Sequence, residues 1–245
     1  SRGLGDVYKR QHQDPQQQAE LLDQAKLQQI NPRINQSKFK QAIYFPELAN
    51  IRNPRLLQSI IHYLKQHPRV TWQEDCKITR LNIQQGCVKS ISDEHSQVFQ
   101  ADQYVFTTGA WSQHWSQQLG LEIPVQPVQG QMLLFKTPEN WLPTMCMHKV
   151  MYLIPRQDGH VLCGSSMRQV GFDTSPSSEI RQDILQACIE MVPELADFPL
   201  VKQWAGLRPS SPDGIPYIGK IPKLHNAWAN FGHFRNGLCL SLIHI

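Results

Sequence analysis

The feature that most constrains the fold is a change of pattern near Pro124. Before it, short apolar runs alternate with polar turns and helix-like stretches. Over 125–135, 150–154 and 160–164, apolar and polar residues alternate and the connections are short. Such alternation is typical of an antiparallel sheet with one covered face. Glycine- and proline-rich segments return after Trp204. The sequence therefore predicts a mixed α/β (α+β) fold in which an antiparallel-sheet part is inserted into an α/β part.

Length and charge exclude several classes of protein. The 245 residues carry 24 Lys and Arg against 20 Asp and Glu, a formal net charge of +4 without clustering of the cations. A nucleic-acid surface needs such a cluster. No apolar run approaches the roughly 20 residues of a membrane-spanning helix, and no export leader is recognisable. We expect a soluble, cytoplasmic protein that binds neither nucleic acid nor membrane.

The cysteines and histidines do not form the spacings that metals or disulfides require. Six cysteines are scattered without a C-x-x-C pair, and ten histidines form no H-x-H or H-E-x-x-H set. Zinc sites need close ligand pairs, and disulfide frameworks belong mainly to short secreted chains. We expect no metal site and free, mostly buried thiols.

The two ends of the chain can be encoded by DNA sequences that are reverse complements of each other. Residues 6–11 can be encoded by a sequence whose reverse complement encodes residues 240–245. This is typical of a translated sequencing adaptor, and such segments are left out of reasoning about the fold. We expect 1–11 and 240–245 to be adaptor-derived, and 12–239 to be an internal piece of a longer protein.

Local patterns predict the main helices and strands. Asp14 and Pro15 are suited to the start of a helix that runs to about Ile30. Apolar residues at helical spacing predict two further helices, over 54–66 and 178–192. Apolar runs predict strands before Pro124 at 70–72, 78–83, 88–91 and 104–107.

Gly109 follows the last of the early strands. The strand ends in Thr107 and Thr108, and a helix start follows at Gly109. A buried strand that ends in a glycine before a helix is typical of a βα turn at a ligand crevice. Gly109 is therefore a candidate cofactor-binding residue.

Two arginines lie in glycine-rich, weakly charged segments. Arg208 falls within 204–219, and Arg235 falls between Gly232 and Gly237. Glycine lets a backbone approach a flat ligand closely, and the guanidinium fork suits a carboxylate or phosphate. The residues alone leave a second interpretation open, in which both arginines pair with structural carboxylates.

Three sequence blocks carry a resemblance to a known family. They are Tyr-Leu-Ile-Pro-Arg (152–156), Gly-Leu-Arg-Pro-x-x-Pro-Asp-Gly-x-Pro-Tyr-Ile-Gly (206–219) and Gly-His-Phe-Arg-Asn-Gly (232–237), with shorter matches at 51–55, 108–112, 127–131 and 171–174. The chain resembles the glycine oxidases of thiamine biosynthesis, in the D-amino-acid-oxidase superfamily of FAD-dependent oxidoreductases, over 12–239. The resemblance implies a Rossmann-like FAD-binding domain and an inserted antiparallel-sheet substrate domain.

The resemblance also implies roles for individual residues. Arg235 matches the arginine that grips the substrate carboxylate, Arg208 a second arginine that lines the site, and Tyr152 an active-site tyrosine. The backbone of Ile78 matches the position that meets the adenosine part of FAD. Ser210 stands where the family usually has glycine. The loop that passes the flavin ring supplies further cofactor-binding residues, namely His233, Phe234, Arg235, Asn236, Gly237 and Leu238.

The implied chemistry is the oxidation of glycine or a small amine by non-covalent FAD. Related enzymes attach the flavin through a cysteine in the segment equivalent to 206–208, where Gly206 offers no thiol. The products would be glyoxylate, ammonia and hydrogen peroxide, with the imine available for thiazole synthesis. The implied partners are a small amino acid, oxygen, a thiazole synthase and further copies of the chain in a homo-oligomer.

Two alternatives remain open at this point. One is a D-amino-acid dehydrogenase or an oxidase of the same superfamily that acts on larger substrates. The other is a flavin-binding partner or assembly protein without turnover. Substrate profiles separate the first from a glycine oxidase, and the joint presence of Tyr152, Arg208 and Arg235 argues against the second.

The resemblance predicts how the chain is divided. A helical lead-in at 12–49 precedes part of the FAD-binding domain at 50–125, the substrate domain at 126–204 and the return to the FAD-binding domain at 205–239. The N-terminal βαβ unit with its G-x-G-x-x-G turn, which holds the FAD pyrophosphate in this superfamily, has no counterpart in 12–239. We therefore expect this stretch to hold FAD only as part of a longer chain.

Overall fold

The computed structural model describes residues 19–238, which fall into two compact units. Unit 1 contains the residues up to 63 together with 132–166 and 177–203. Unit 2 contains 64–131, 167–176 and the residues from 204 onward. The ends predicted to be adaptor-derived, and Cys239, lie outside the described residues. The assignment of FAD-binding and substrate-binding parts stays a prediction.

The described chain contains runs of consecutive strands separated by helices. In order, the elements are β1 (Glu20–Leu22), α1 (Gln24–Ile30), β2 (Ala42–Tyr44), α2 (Asn53–Gln66), β3 (Ile78–Gln84), β4 (Cys87–Asp93), β5 (Val98–Phe99), β6 (Tyr104–Phe106), a 3₁₀ helix (Gly109–Trp115), α3 (Ser116–Leu119), β7 (Gln126–Lys136), β8 (Cys146–His148), β9 (Met151–Arg156), β10 (His160–Gly164), α4 (Ser178–Met191), a second 3₁₀ helix (Pro193–Asp197), β11 (Leu200–Ser210), β12 (Tyr217–Lys220) and β13 (Ala227–Phe231). Among residues 19–238, no helix has the length and apolar character needed to span a membrane.

The core of unit 1 lies between α4 and the strands of an antiparallel sheet. Ser177 caps α4 by accepting a hydrogen bond from the backbone N–H of Ile180 at 3.3 Å. Ile180, Ile184, Cys188 and Met191 recur at helical spacing and are all buried. They pack in one cluster with residues of β7, β9 and β10, namely Leu133, Leu153, Val161 and Cys163. The sheet has the order β11-β7-β10-β9-β8.

Unit 2 combines an antiparallel sheet, β3-β4-β5, with a sheet in the order β12-β13-β6. In the second sheet β12 pairs antiparallel with β13, whereas β6 pairs with β13 in parallel. The side chain of Asn226 ties the start of β13 to β4, because it accepts from the N–H of Val88 and donates to its carbonyl, both at 2.9 Å. The buried core includes Val88, Tyr104, Phe106, Val125, Ala227 and Phe231.

The mixed α/β fold class is confirmed, but the start of the chain is arranged differently from the prediction. The first described helix begins at Gln24, because Asp23 caps it by accepting from the N–H of Lys26 at 2.9 Å. Residues 20–22 form a strand that pairs with β2 rather than a helical turn. The predicted helix start at Asp14 and Pro15 lies outside the described residues.

One further local prediction is corrected, because residues 70–72 form no strand. The strand β11 runs through Gly206 and Pro209, because it lies at the edge of its sheet, where both residues are tolerated. Residues 167–176 belong to unit 2, where the side chain of Gln129 donates to the carbonyl of Asp173.

Candidate functional site

Two parallel strands of unit 2 end at the same edge of their sheet. β6 and β13 are in register with Phe106 opposite Ala229. Three residues beyond each of these positions the chain reaches a glycine with a left-handed backbone, Gly109 at φ 55° and Gly232 at φ 81°. Glycine adopts this conformation without steric cost. Ligands bind preferentially at the carboxyl ends of parallel strands, so this edge is the candidate site.

The turn after β6 is stabilised by its own side chains. The Ser112 hydroxyl donates to the carbonyl of Gly109 at 2.7 Å and accepts from the Thr108 hydroxyl at 2.9 Å. A Cβ atom at Gly109 would have no described atom within 4 Å. The Thr-Gly-Ala-Trp-Ser motif therefore builds a rigid turn with open space beside its glycine.

A cavity of about 590 Å³ opens beside this turn. One wall is a helical face whose members are spaced i, i+3, i+4 and i+7 from Trp111 to Gln118, and β3 forms another. The lining residues are Lys77, Ile78, Thr79, Thr108, Trp111, His114, Trp115 and Gln118. Its volume falls within the range of about 300–1,000 Å³ typical of small-molecule sites. Ile78 and Thr108, the residue that precedes Gly109, thus line one cavity.

Gln118 joins the two walls of the cavity. Its Nε2 donates to the carbonyl of Thr79 at 3.0 Å, and its Oε1 accepts from the N–H of Leu81 at 2.8 Å. Because both bonds end on β3, they set the separation of that strand from α3. Gln118 was missed by the sequence analysis, although the helical spacing of Trp111, His114 and Trp115 could have indicated this face.

An aromatic cluster covers the outer side of the same helical face. The Phe172 ring stacks on Trp111 with centroids 5.8 Å apart and lies 5.0 Å from the ring of His114. The segment that carries Phe172 is held by the buried side chain of Gln129, which donates to the carbonyl of Asp173 at 2.7 Å. The Gly-Phe-Asp-Thr motif at 171–174 thus places an aromatic ring against a cavity-lining tryptophan.

The loop after β13 is tied by its backbone to the end of β11. Ser210 and His233 form an antiparallel bridge, and the N–H of Phe234 donates to the carbonyl of Pro209 at 2.7 Å. Arg208 precedes this bridge by two residues and Arg235 follows it by two. The tertiary structure therefore places on adjacent backbone segments the two arginines that the sequence separates by 26 residues.

The two arginines differ in environment. Arg235 is exposed and makes no hydrogen bond or ion pair with any residue in 19–238. Arg208 is half-buried, and its guanidinium lies against Gly130 of the neighbouring strand β7. The interpretation that pairs Arg235 with a structural carboxylate is therefore not supported within the described part of the chain. An exposed guanidinium in a glycine-rich loop is suited to an external anion.

His233 is held in the same loop as a neutral imidazole. Its Nε2 lies 2.6 Å from Oδ1 of Asn230, an acceptor, so Nε2 carries the proton. Nδ1 is buried and has no hydrogen-bond partner among the described residues. Burial lowers the pKa of His233 from its ordinary value of 6.5, because desolvation disfavours the charged form. The unprotonated Nδ1 therefore lies within the loop that is predicted to pass the flavin.

The remaining predicted residues are placed as follows. Phe234 has a left-handed backbone at φ 48°, Asn236 is exposed, and Gly237 and Leu238 are half-buried. Tyr152 lies in unit 1 on β9, where its hydroxyl donates to the sulfur of Met132 at 3.3 Å. The structure thus gathers all the predicted residues except Tyr152 within unit 2. Residues 19–238 contain no cluster of three His, Cys, Asp or Glu side chains that could hold a metal ion.

The chain is similar to known flavoenzymes in sequence. The glycine oxidase of Pseudomonas putida is 45% identical over 203 residues, which cover 83% of this chain and 55% of that protein. The bifunctional protein ThiO/ThiG of Trichormus variabilis is 30% identical over 227 residues, which cover 91% of this chain and 33% of that protein. The chain thus spans about half the length of the first relative and a third of the second.

The similarity extends to three dimensions. The crystal structure of glycine oxidase from Bacillus cereus matches with a TM-score of 0.88 at 22% identity, covering 97% of this chain and 64% of that one. At this identity the match shows a common fold. A family model described as FAD dependent oxidoreductase matches residues 2–244, nearly the whole length. The chain therefore belongs to the FAD dependent oxidoreductase family.

Proposed function

We propose that the protein is a flavin-dependent amine oxidase that acts on glycine or a small amine. The observation that carries the proposal is the 45% identity to a glycine oxidase over 83% of the chain, together with the adjacent placement of Arg208 and Arg235 beside the site. The joint presence of Tyr152, Arg208 and Arg235 favours an active enzyme over the alternative of a flavin-binding partner without turnover.

The residues of unit 2 fit FAD as a non-covalent cofactor. The cavity of about 590 Å³ offers a flat indole at Trp111 and the β3 backbone at Ile78, both suited to a planar ring system. The left-handed turns at Gly109 and Gly232 let the backbone approach a ligand. Gly206 supplies no thiol for attachment. We assign the adenosine part to the cavity and the flavin to the loop at 233–238.

The substrate amino acid would be held through its carboxylate. Arg235 is exposed and unpaired within residues 19–238, so its planar fork can take both carboxylate oxygens. Arg208 supplies a second positive charge that lines the site, and the resemblance implies an active-site role for Tyr152. Because these groups orient the substrate rather than exchange protons with it, positioning is their main contribution to the rate.

The overall reaction would be an oxidative deamination. Bound FAD supplies a two-electron acceptor, which the protein positions rather than creates. Glycine loses two electrons and two protons to become an imine, and oxygen takes up both to give hydrogen peroxide. Water then hydrolyses the imine to glyoxylate and ammonia. One relative is a bifunctional protein ThiO/ThiG, which supports a link between this oxidation and thiazole synthesis. We place the protein in the cytoplasm.

A substrate profile of the complete FAD-loaded protein tests the proposal. We expect kcat/KM to be highest for glycine and sarcosine. Hydrogen peroxide and glyoxylate should form from glycine in equal amounts. Oxygen consumption and peroxide release would be measured across glycine, sarcosine and a series of larger D-amino acids. A clear preference for the larger D-amino acids would favour the alternative oxidase, and turnover only with an artificial acceptor would favour a dehydrogenase. No turnover with any amine would overturn the proposal.

A further inference from the structure

We infer that Gly130 is a positioning residue, whose missing side chain provides the space in which the guanidinium of Arg208 sits. The inference rests on the proposed function, since it concerns how one of the proposed site arginines is held. A Cβ atom at Gly130 would lie 2.2 Å from both Nη1 and Nη2 of Arg208 and 2.4 Å from Cζ. The open end of the guanidinium fork thus occupies the space that any other side chain would fill.

The backbone around Gly130 is held by hydrogen bonds of the residues on both sides of it. Gln129 exchanges backbone hydrogen bonds with Arg168 at 2.8 and 3.0 Å, and its side chain donates to the carbonyl of Asp173. Gln131 donates from Nε2 to Oε1 of Gln129 at 2.9 Å. Both glutamines are buried. An added methyl at Gly130 must therefore move the guanidinium, the flexible end of a long side chain, rather than β7.

The displacement is large enough to affect binding. Ordinary van der Waals contact begins near 3.4 Å, so the guanidinium atoms at 2.2 Å would have to move by about 1 Å or more. A misplacement of about 1 Å in a positioning group can cost roughly 100-fold in rate. The backbone conformation of Gly130 is not left-handed, so alanine fits the main chain there. The expected effect of alanine is consequently a shifted arginine in a folded protein.

A double-mutant cycle in the complete FAD-loaded protein tests the inference. The variants are Gly130→Ala, Arg208→Ala and the two combined, with two readouts: the Kd for glycolate from the change in flavin absorbance, and the midpoint of thermal unfolding. We expect Gly130→Ala to weaken glycolate binding by about 10- to 100-fold when Arg208 is present. In the Arg208→Ala background it should change the Kd by less than about twofold, since no guanidinium is left to displace.

A matched substitution controls for the added methyl itself. Gly206 lies on β11 with Arg208, also outside the left-handed region, and a Cβ atom there would have no described atom within 4 Å. The unfolding midpoint of Gly206→Ala therefore gives the effect of alanine on a strand without a clash. We expect Gly130→Ala to match this effect only in the Arg208→Ala background.

The outcomes separate the inference from the proposed function. Strong loss of glycolate binding in Arg208→Ala with unchanged binding in Gly130→Ala would overturn the inference alone. Additive losses in the double variant would overturn it as well. Unchanged binding in Arg208→Ala would contradict the proposed role of Arg208 in the site, whatever the unfolding midpoints show about the guanidinium and Gly130.

Discussion

Arg33 and Arg52 of unit 1 differ in environment from Arg235 of unit 2. In unit 1, Arg33 pairs with Glu194, donates to the carbonyl of Trp141 at 2.6 Å and lies over the Trp141 ring at 4.6 Å. Arg52 of the same unit pairs with Asp158 at 2.8 Å. In unit 2, Arg235 has no such partner within residues 19–238. Arg33 and Arg52 therefore serve the structure of unit 1, whereas the guanidinium of Arg235 remains available to an external anion.

The apolar face of α4 in unit 1 and the apolar surface beside the cavity of unit 2 also differ. Unit 1 buries one face of α4 completely against its sheet. In unit 2, Trp111 is half-exposed beside a cavity. The turns that follow β6 and β13 contain glycines with positive φ. A closed apolar core contributes stability, while open aromatic surface and permissive turns contribute a place for a ligand. Stability and binding should therefore respond to different substitutions.

The largest expected effect is on the stability of unit 1. Ile184 is fully buried in the α4 cluster, so Ile184→Ala should lower the free energy of unfolding by about 2–5 kcal/mol through lost burial and the cavity left behind. Gln182→Ala, at an exposed position of the same helix, should change it by less than about 0.5 kcal/mol. Chemical denaturation of both variants measures this, and equal midpoints would contradict the closed core.

The second effect contrasts the two kinds of arginine. A charge-assisted bidentate contact is worth roughly 1.5–3 kcal/mol, about 10- to 150-fold in an equilibrium constant. Arg235→Ala should therefore lower kcat/KM for glycine by at least about tenfold, with FAD retained and the unfolding midpoint unchanged. Arg235→Lys should recover only part of the loss, because an ammonium lacks the planar fork.

Arg33→Ala is the matched control for Arg235→Ala. This variant should lower the free energy of unfolding by roughly 1–2 kcal/mol, because it removes a half-exposed ion pair, a hydrogen bond and a cation–π contact. It should leave kcat/KM for glycine unchanged. Steady-state kinetics and chemical denaturation of both variants distinguish a substrate-binding arginine from a structural one. Unchanged kinetics in Arg235→Ala would return this arginine to a structural role, and loss of the flavin would make it a cofactor residue.

A smaller effect is expected where Gln118 joins the cavity walls. Gln118→Ala removes two hydrogen bonds to β3, each worth about 0.5–1.5 kcal/mol. Since the bonds are exposed to solvent, we expect the Kd for FAD to rise by roughly two- to tenfold. Gln117→Ala, at an exposed neighbouring position, should leave it unchanged. Flavin fluorescence titration compares the two, and an equal Kd would place FAD away from this cavity.

The smallest effect is a pH dependence from His233. Burial holds its pKa in the folded protein below the ordinary value of 6.5, so between the two values the unfolded chain binds more protons. The stability that this residue contributes is complete above pH 6.5 and is lost as the pH falls through the lowered pKa. Thermal midpoints from pH 8 to pH 5 should decline less for His233→Gln than for the unaltered protein. Parallel declines would contradict the shift.

Local periodicity predicted the elements that depend on neighbours in sequence. The stripe of apolar residues in α4 and the alternation in β7 both led to the observed bounds within two residues. The same reasoning predicted α2, yet none of its residues is buried in the described structure. An amphipathic pattern indicates a helix, but it does not specify what covers the apolar face.

The resemblance named candidate site residues but gave no information about their arrangement in space. Arg208 and Arg235 were both identified in the sequence, but their adjacency follows from the bridge between Ser210 and His233. Gln118 carried no motif and was missed, because its two partners lie 37 and 39 residues away. The roles of these residues stay proposals until the variants above are measured.

The sequence by itself determined the fold class, the family and the residue types that can bind an anion and a flavin. These follow from periodicity and from motifs, which are local properties of the chain. Only the tertiary structure decided that β6 and β13 run in parallel to one edge, and that the guanidinium of Arg208 fills the space beside Gly130. Both depend on contacts between residues more than 70 positions apart, which local pattern does not encode.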